Sequence, residues 1–283
     1  MIYVSSSCVK AEHIKDSVKQ LVEAGFFNIE LSGGTEPYPD LEKDLLMLQD
    51  KYNINYLCHN YFPPPQTPFV LNLASLDKEV ARMSLDHCKN AIDLSQKLGA
   101  KKFAFHAGFL INIPIDQIGK KISKKDMFDR HEAIAQFLNN VRQLLDYSGD
   151  RIELYIENNV ISEANFKEFD EENLFFFTHE GNLAESKGDT GINYLLDLAH
   201  LSVSCNSLGL NFKEELNSLI NGTDYIHLSA NDGRADLNWA ITKDSTVYQN
   251  LKDYDISNKT ITLETYADID KIRESFQLIE DLR

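Results

Sequence analysis

Seven short apolar runs along this chain end at or next to a side chain that can ionise or bind metal: Glu30, His59, His106, Glu157, Asp197, His227 and Glu264. One of them, YLLDLAHL at residues 194 to 201, sets the problem for all. Its apolar character suits burial, yet it carries Asp197 and, three residues on, His200. Taking a carboxylate out of water costs several kcal/mol, on the order of the penalty for any buried ion, unless something pairs with it. Either Asp197 sits at an exposed strand end or a cation meets it there.

Imidazoles and carboxylates are the ligands of divalent cations. Imidazole suits Zn, Mn, Fe or Co, and carboxylate oxygens suit Mg and Mn as well. Apart from Asp197 and His200, no two of these residues are neighbours by local spacing, so they can meet only through the fold. The remaining histidines, His13, His87, His131 and His179, stand outside the pattern and read as ordinary surface or core residues.

The elements that must position the set recur in order. Strands are expected at residues 2 to 5, 27 to 31, 54 to 59, 102 to 106, 152 to 157, 193 to 197, 225 to 229 and 261 to 265, each rich in β-branched or aromatic residues. Amphipathic segments lie between them. HIKDSVKQLVEAG puts Ile14, Val18, Leu21 and Val22 on one stripe and stops at Gly25, and the longer segments closed by Gly99 and Gly149 repeat the device. No linker rich in Pro, Gly or Ser interrupts the alternation, so residues 1–283 are expected to form a single domain. Eight strands alternating with helices predict a (β/α)8 barrel. The competing doubly wound open sheet normally wants a glycine-rich loop after its first strand, and SSSCVKAEH has no glycine. In such a barrel the chemistry sits at the C-terminal ends of the strands, where this set lies.

Composition narrows the partners. The chain has 283 residues, 43% of them hydrophobic, and a formal charge of −16 from 44 acidic and 28 basic residues. Nucleic-acid binding draws on clustered Lys and Arg, so this balance argues against it. The one short basic cluster, KKISKK at 120 to 125, reads as a solvated loop. Apolar stretches fall short of a membrane span and no signal peptide opens the chain, so a cytoplasmic enzyme is expected. Cys8, Cys58, Cys88 and Cys205 form no CxxC pair and are expected to be reduced, buried thiols.

From IELSGG to ITLETY the chain resembles the xylose isomerase-like TIM-barrel superfamily, which holds sugar isomerases and epimerases together with endonuclease IV. YIEN resembles its fifth-strand glutamate motif, LLDLAH its sixth-strand Asp-x-x-His, YIHLSANDG its seventh-strand His and ITLETY its final Glu. The resemblance implies a metal centre of Glu157, Asp197, His227 and Glu264. The segment from FVLNLAS to KFAFHAG is similar to endonuclease IV and implies a second metal at His59 and His106 beside Glu157. A third metal of that enzyme takes His200 and an Asp-x-His pair, where this chain has Asp236-Leu237-Asn238, and an amide oxygen is a weak zinc donor. The loop SGGTEPYPD carries two acids and no Lys or Arg, which suits a neutral polyhydroxy substrate better than phosphate.

The implied activity is a sugar isomerase or epimerase that uses a divalent Mn, Mg, Zn or Co ion to stabilise an enediolate. By the same resemblance Glu157 and Glu264 are the acid/base pair and also metal ligands, while Asp197 and His227 are ligands only. His200, Arg234, Glu30 and Trp239 are candidate substrate contacts. YFPPPQTPF after His59 reads as a stiff loop over the site, and the phenylalanines of FFFTHEG as packing or a subunit contact. The alternatives are an abasic-site phosphodiesterase like endonuclease IV and a dehydratase or lyase using the same site. The expected partner is a small sugar or sugar derivative, with no nucleic acid, no membrane and a homodimer as the assembly.

Overall fold

A computed structural model describes residues 1–283. Eight strands, β1 (Ile2–Ser5), β2 (Asn28–Leu31), β3 (Asn55–His59), β4 (Lys102–His106), β5 (Glu153–Glu157), β6 (Asn193–Asp197), β7 (Tyr225–Leu228) and β8 (Thr260–Leu263), pair in chain order, and β8 closes on β1. Every pairing is parallel. The ten α-helices are α1 (Ile14–Glu23), α2 (Leu41–Tyr52), α3 (Lys78–Lys97), α4 (Arg130–Ser148), α5 (Glu163–Glu168), α6 (Leu183–Lys187), α7 (Leu198–Leu208), α8 (Phe212–Leu219), α9 (Thr246–Leu251) and α10 (Ile269–Glu280). This is the (β/α)8 barrel that the alternation predicts. None of the helices is long and apolar enough to cross a membrane.

Side chains that alternate along each strand separate two cores. On β4, Phe103 and Phe105 point outward and join a cluster of 64 buried residues between barrel and helices. Ala104, between them, points inward and joins Tyr3, Leu57, Tyr155, Leu195 and Tyr225 in a separate cluster that plugs the barrel. Alternation has period two, so the residues after this plug on the same face, His59, His106, Glu157, Asp197 and His227, must also point inward, one layer nearer the C-terminal mouth. The plug makes the barrel interior a packed floor for the site.

The eighth strand ends earlier than expected, at Leu263, so Glu264 lies just beyond it. The Glu264 backbone N–H still donates to Leu228 O at 3.0 Å, which keeps its position tied to β7. Two buried asparagines brace the connection after β4. Asn72 donates to the carbonyls of Phe109 (2.9 Å) and Ile111 (3.1 Å), and Asn159 donates to those of Ala107 (2.6 Å) and Phe176 (2.9 Å). The asparagine of FVLNLAS therefore acts as a brace behind His106. Phe175, Phe176 and Phe177 are buried in the outer core, in keeping with a packing role.

Candidate metal centre

Glu157 is the hub. It ends β5 in register with His106 of β4, and it is fully buried. Its Oε2 lies 2.7 Å from His59 Nε2 and 3.2 Å from His106 Nδ1. Its Oε1 faces the other way, 3.5 Å from His227 Nδ1, which is in turn 3.5 Å from Glu264 Oε2. Asp197, opposite His227 in the β6 and β7 register, completes a trio with Glu157 and His227 whose ligand atoms lie within 4.8 Å of one another. Glu157, Asp197 and His227 of the first expected centre thus converge, with Glu264 beside His227, and His59 and His106 of the second converge on Glu157.

Asp197 also starts the next helix. Its Oδ1 accepts the His200 backbone N–H at 2.7 Å and caps α7, satisfying one of the donors that every helix start leaves open. The cap places His200 on the first turn, aimed back into the site. There its Nδ1 lies 2.8 Å from Asn158 O and its Nε2 3.3 Å from Asp236 Oδ2. Asp236 is a site residue that the sequence offers only as part of an incomplete Asp-x-His. Its partner at the other end of that tripeptide, Asn238, is buried, with its Oδ1 3.1 Å from the Ser229 hydroxyl.

Three expected substrate contacts are not among the residues that line the cleft. Glu30 is fully buried and sits deeper than the mouth, in register with Leu57 of the barrel plug. Position 30 falls one layer below His59, so its carboxylate meets the back of His227 instead of a substrate. Trp239 is 49% exposed and does not line the cleft, and its backbone pairs both ways with Ala230. Arg234 is exposed on the same connection, also away from the cleft lining. His200 does line the cleft, and Tyr266, not foreseen, adds an aromatic side chain to it; the final Glu-Thr-Tyr was the available signal.

Above the hub opens a cleft of about 1210 Å³ that reaches His59, His106, Glu157, His200, Asp236 and Glu264. Its upper wall includes Pro64, Pro65, Pro68 and Phe69 of the stiff loop after β3. Ser6, Ser7, Ser32, Thr35, Asn60 and Gln66 add hydroxyl and amide groups. Lys10 is the one Lys or Arg among the lining residues.

The charges at the hub are in conflict without a cation. Burial pushes Asp197 up to about 7, and the carboxylates of Glu157, Asp236 and Glu264 push the same way, against His200. Burial also works against ionised Glu157, but the His106 and His59 imidazoles beside it hold it well below the usual carboxylate range. His200 and His227 are driven well above their ordinary value: burial opposes this, and Asp197 with Asp236, or Glu30 with Glu264, overcome it. His106 has no such surplus, and burial takes it down to about 4.

The donor set fits a divalent metal. Glu157 Oε1, His106 Nδ1 and His227 Nδ1 are buried and have no hydrogen-bond partner, which native interiors rarely tolerate. All three belong to residues whose carboxylate and imidazole ligand atoms cluster within 4.8 Å of one another. Imidazole nitrogen and carboxylate oxygen are the donors that Zn, Mn and Co accept.

The xylose isomerase-like TIM barrel family model matches residues 18–282. The chain belongs to this family. Among solved structures, this xylose isomerase-like barrel is similar to a D-tagatose 3-epimerase-like protein, with 18% identity, TM-score 0.73, and 99% of this chain and 96% of that one covered. It is similar to the D-allulose 3-epimerase of Methylomonas sp. in complex with D-allulose, with 12% identity, TM-score 0.62, and 98% and 89% covered. Endonuclease IV from Thermus thermophilus shares 14% identity, with TM-score 0.62 and 99% of each chain covered. At these identities the likeness shows the shared fold. No curated protein sequence matches the chain.

Proposed function

We propose that this xylose isomerase-like barrel is a divalent-metal-dependent isomerase or epimerase of a small sugar or sugar derivative. The observation that carries the reading is the pair Glu157 and Glu264, each with a carboxylate oxygen 3.5 Å from His227 Nδ1, on the floor of a cleft walled by hydroxyls and amides. Two carboxylates flanking one position provide a base that removes a proton beside a carbonyl and an acid that returns one. Such groups typically contribute about 10² to 10⁴ in rate. Glu157, Asp197, His227 and Glu264 would hold a divalent cation, which would polarise the carbonyl and stabilise the negative charge that grows on it. Ser6, Ser7, Ser32 and Asn60 can donate to and accept from substrate hydroxyls. The epimerase folds of similar shape, one of them in complex with D-allulose, agree with a sugar in this cleft.

The test is solvent deuterium. Turnover of the cognate sugar in heavy water is expected to place deuterium on the carbon next to the carbonyl, and Glu157→Gln or Glu264→Gln to lower turnover and labelling by at least about 10². Turnover without label, or full activity in both variants, would overturn the proposal.

A second reading, phosphodiester hydrolysis, is favoured by His59 and His106 around Glu157 and by the pair His200 and Asp236. Against it, a groove for a polyanion needs several cations, and this cleft presents Lys10 alone. Bound metal separates the two: one ion per chain favours the isomerase, two or three the phosphodiesterase. Nicking of abasic duplex DNA in the presence of zinc is expected to be absent.

A further inference from the structure

We infer that Glu30 is a positioning residue for His227: it fixes the imidazole from behind, with the proton on Nε2, so that the Nδ1 lone pair faces the metal centre. The inference rests on the metal site of the proposed function but not on its sugar chemistry.

Four observations carry it. His227 and Glu30 are both fully buried, so neither can turn to water for a partner. His227 Nε2 lies 2.9 Å from Glu30 Oε1, and neither atom has a hydrogen-bond partner elsewhere. The opposite nitrogen, Nδ1, faces Glu157 and Glu264 at 3.5 Å each. Finally, the second oxygen of Glu30 is held from two sides: the Tyr225 hydroxyl donates to Oε2, and the Thr262 hydroxyl donates to it at 2.7 Å.

A neutral imidazole has one N–H and one lone pair, and whatever accepts the N–H decides which nitrogen is free. The carboxylate 2.9 Å from Nε2 favours the proton on that nitrogen, which leaves Nδ1 as the donor to a cation, and the negative charge behind the ring raises its basicity. Tyr225 and Thr262, donors to Oε2, keep the carboxylate from rotating. The strand register supports this arrangement. Thr262 is directly opposite His227 in the β7 and β8 ladder, and Tyr225 precedes His227 by two residues on the same face. Glu30 reaches them across the barrel from β2, at the level of Leu57.

Glu30→Gln tests the inference, since the amide keeps the size and can still accept from Nε2 while removing the charge. The experiment measures metal affinity by calorimetric titration with Zn or Mn ions, the melting temperature of the metal-free protein, and the ¹⁵N resonances of the His227 ring. Expected are an affinity lowered about 10- to 100-fold at unchanged stoichiometry, and a melting temperature near that of the wild type. In the metal-bound protein the His227 Nε2–H resonance is expected to shift, because a neutral amide oxygen replaces the charged acceptor. Glu30→Asp, whose shorter side chain withdraws the carboxylate from Nε2, is expected to weaken the metal as well. Affinity within twofold of wild type in both variants overturns the inference. So does loss of metal only in proportion to loss of folded protein. Disappearance of one bound ion at saturating metal would make Glu30 a ligand and overturn it too. A protein that turns over no sugar, yet shows the affinity change, refutes the proposed reaction and leaves the positioning role standing.

Discussion

Asp197 does two things with one carboxylate: it caps α7 through the His200 N–H and faces Glu157 and His227. Asn caps a helix as well as Asp does, but its amide oxygen binds a cation weakly, so substitution separates the two. Burial among carboxylates pushes Asp197 up to about 7, so its charge is disfavoured without a cation. Asp197→Asn is therefore expected to leave the metal-free protein at least as stable as wild type while losing most metal affinity. Asp197→Ala should lose affinity and also about 1 to 2 kcal/mol of cap stability, as read by urea unfolding. Equal stability of the Asn and Ala variants would remove the capping role. His87 offers a residue-scale test away from the site. Burial alone depresses it from 6.5 to about 4, its ring stacks edge-on to Phe69, and its Nε2 has no partner. Between those two values the unfolded chain binds the proton and the folded chain does not, so stability present above pH 6.5 is lost as pH falls toward 4. The loss attributable to His87 is on the order of 3 kcal/mol. His87→Leu should remove that share, seen as a smaller stability difference between pH 7 and pH 4.5 than in wild type; an unchanged difference would count against it.

Among the elements, the connection after β4 is tightly packed. A Cβ on Gly108 would collide with the Cβ of Ala74 and stand 3.2 Å from the rings of Phe137 and Phe176. Gly108→Ala is expected to destabilise the protein by about 1 to 3 kcal/mol through overpacking, and Ala74→Gly in the same chain to restore part of it. Additive effects in the double variant would refute direct contact. Element existence was legible beforehand: β1, β4 and β6 have the expected bounds, and the others differ by one or two residues. These strands are buried on both faces, so they read as apolar runs with clear ends. What was not legible was depth. Glu30 and His59 are both polar residues near strand ends, yet the barrel's stagger sets Glu30 level with Leu57 and leaves His59 a layer higher. A one-layer difference turns an expected substrate contact into a support for His227.

For the molecule as a whole, the closed barrel concentrates charge at one end. The plug formed by Tyr3, Leu57, Ala104, Tyr155, Leu195 and Tyr225 holds the carboxylates and imidazoles apart from the N-terminal face. A cation bound by the folded state alone must raise stability by RT ln(1 + [L]/Kd), about 2.7 kcal/mol at a hundredfold excess over Kd. Zn or Mn ions are expected to raise the melting temperature by several degrees and a chelator to reverse it. A melting temperature indifferent to both would mean that the clustered ligands hold no metal. The formal charge of −16 acts at this scale too, since it repels a polyanionic substrate before any contact forms.

Alternating apolar runs and amphipathic segments, with their polar residues gathered at strand ends, were enough to determine the barrel and the ligand types, because period and burial are local properties of a chain. Motif resemblance added which residues form the centre. Only the tertiary structure decided which polar residues share a layer, because the relative height of two strands depends on how the sheet closes and not on either strand alone. That closure drew Asp236 toward His200, left Trp239 and Arg234 out of the cleft lining, and set Glu30 behind His227.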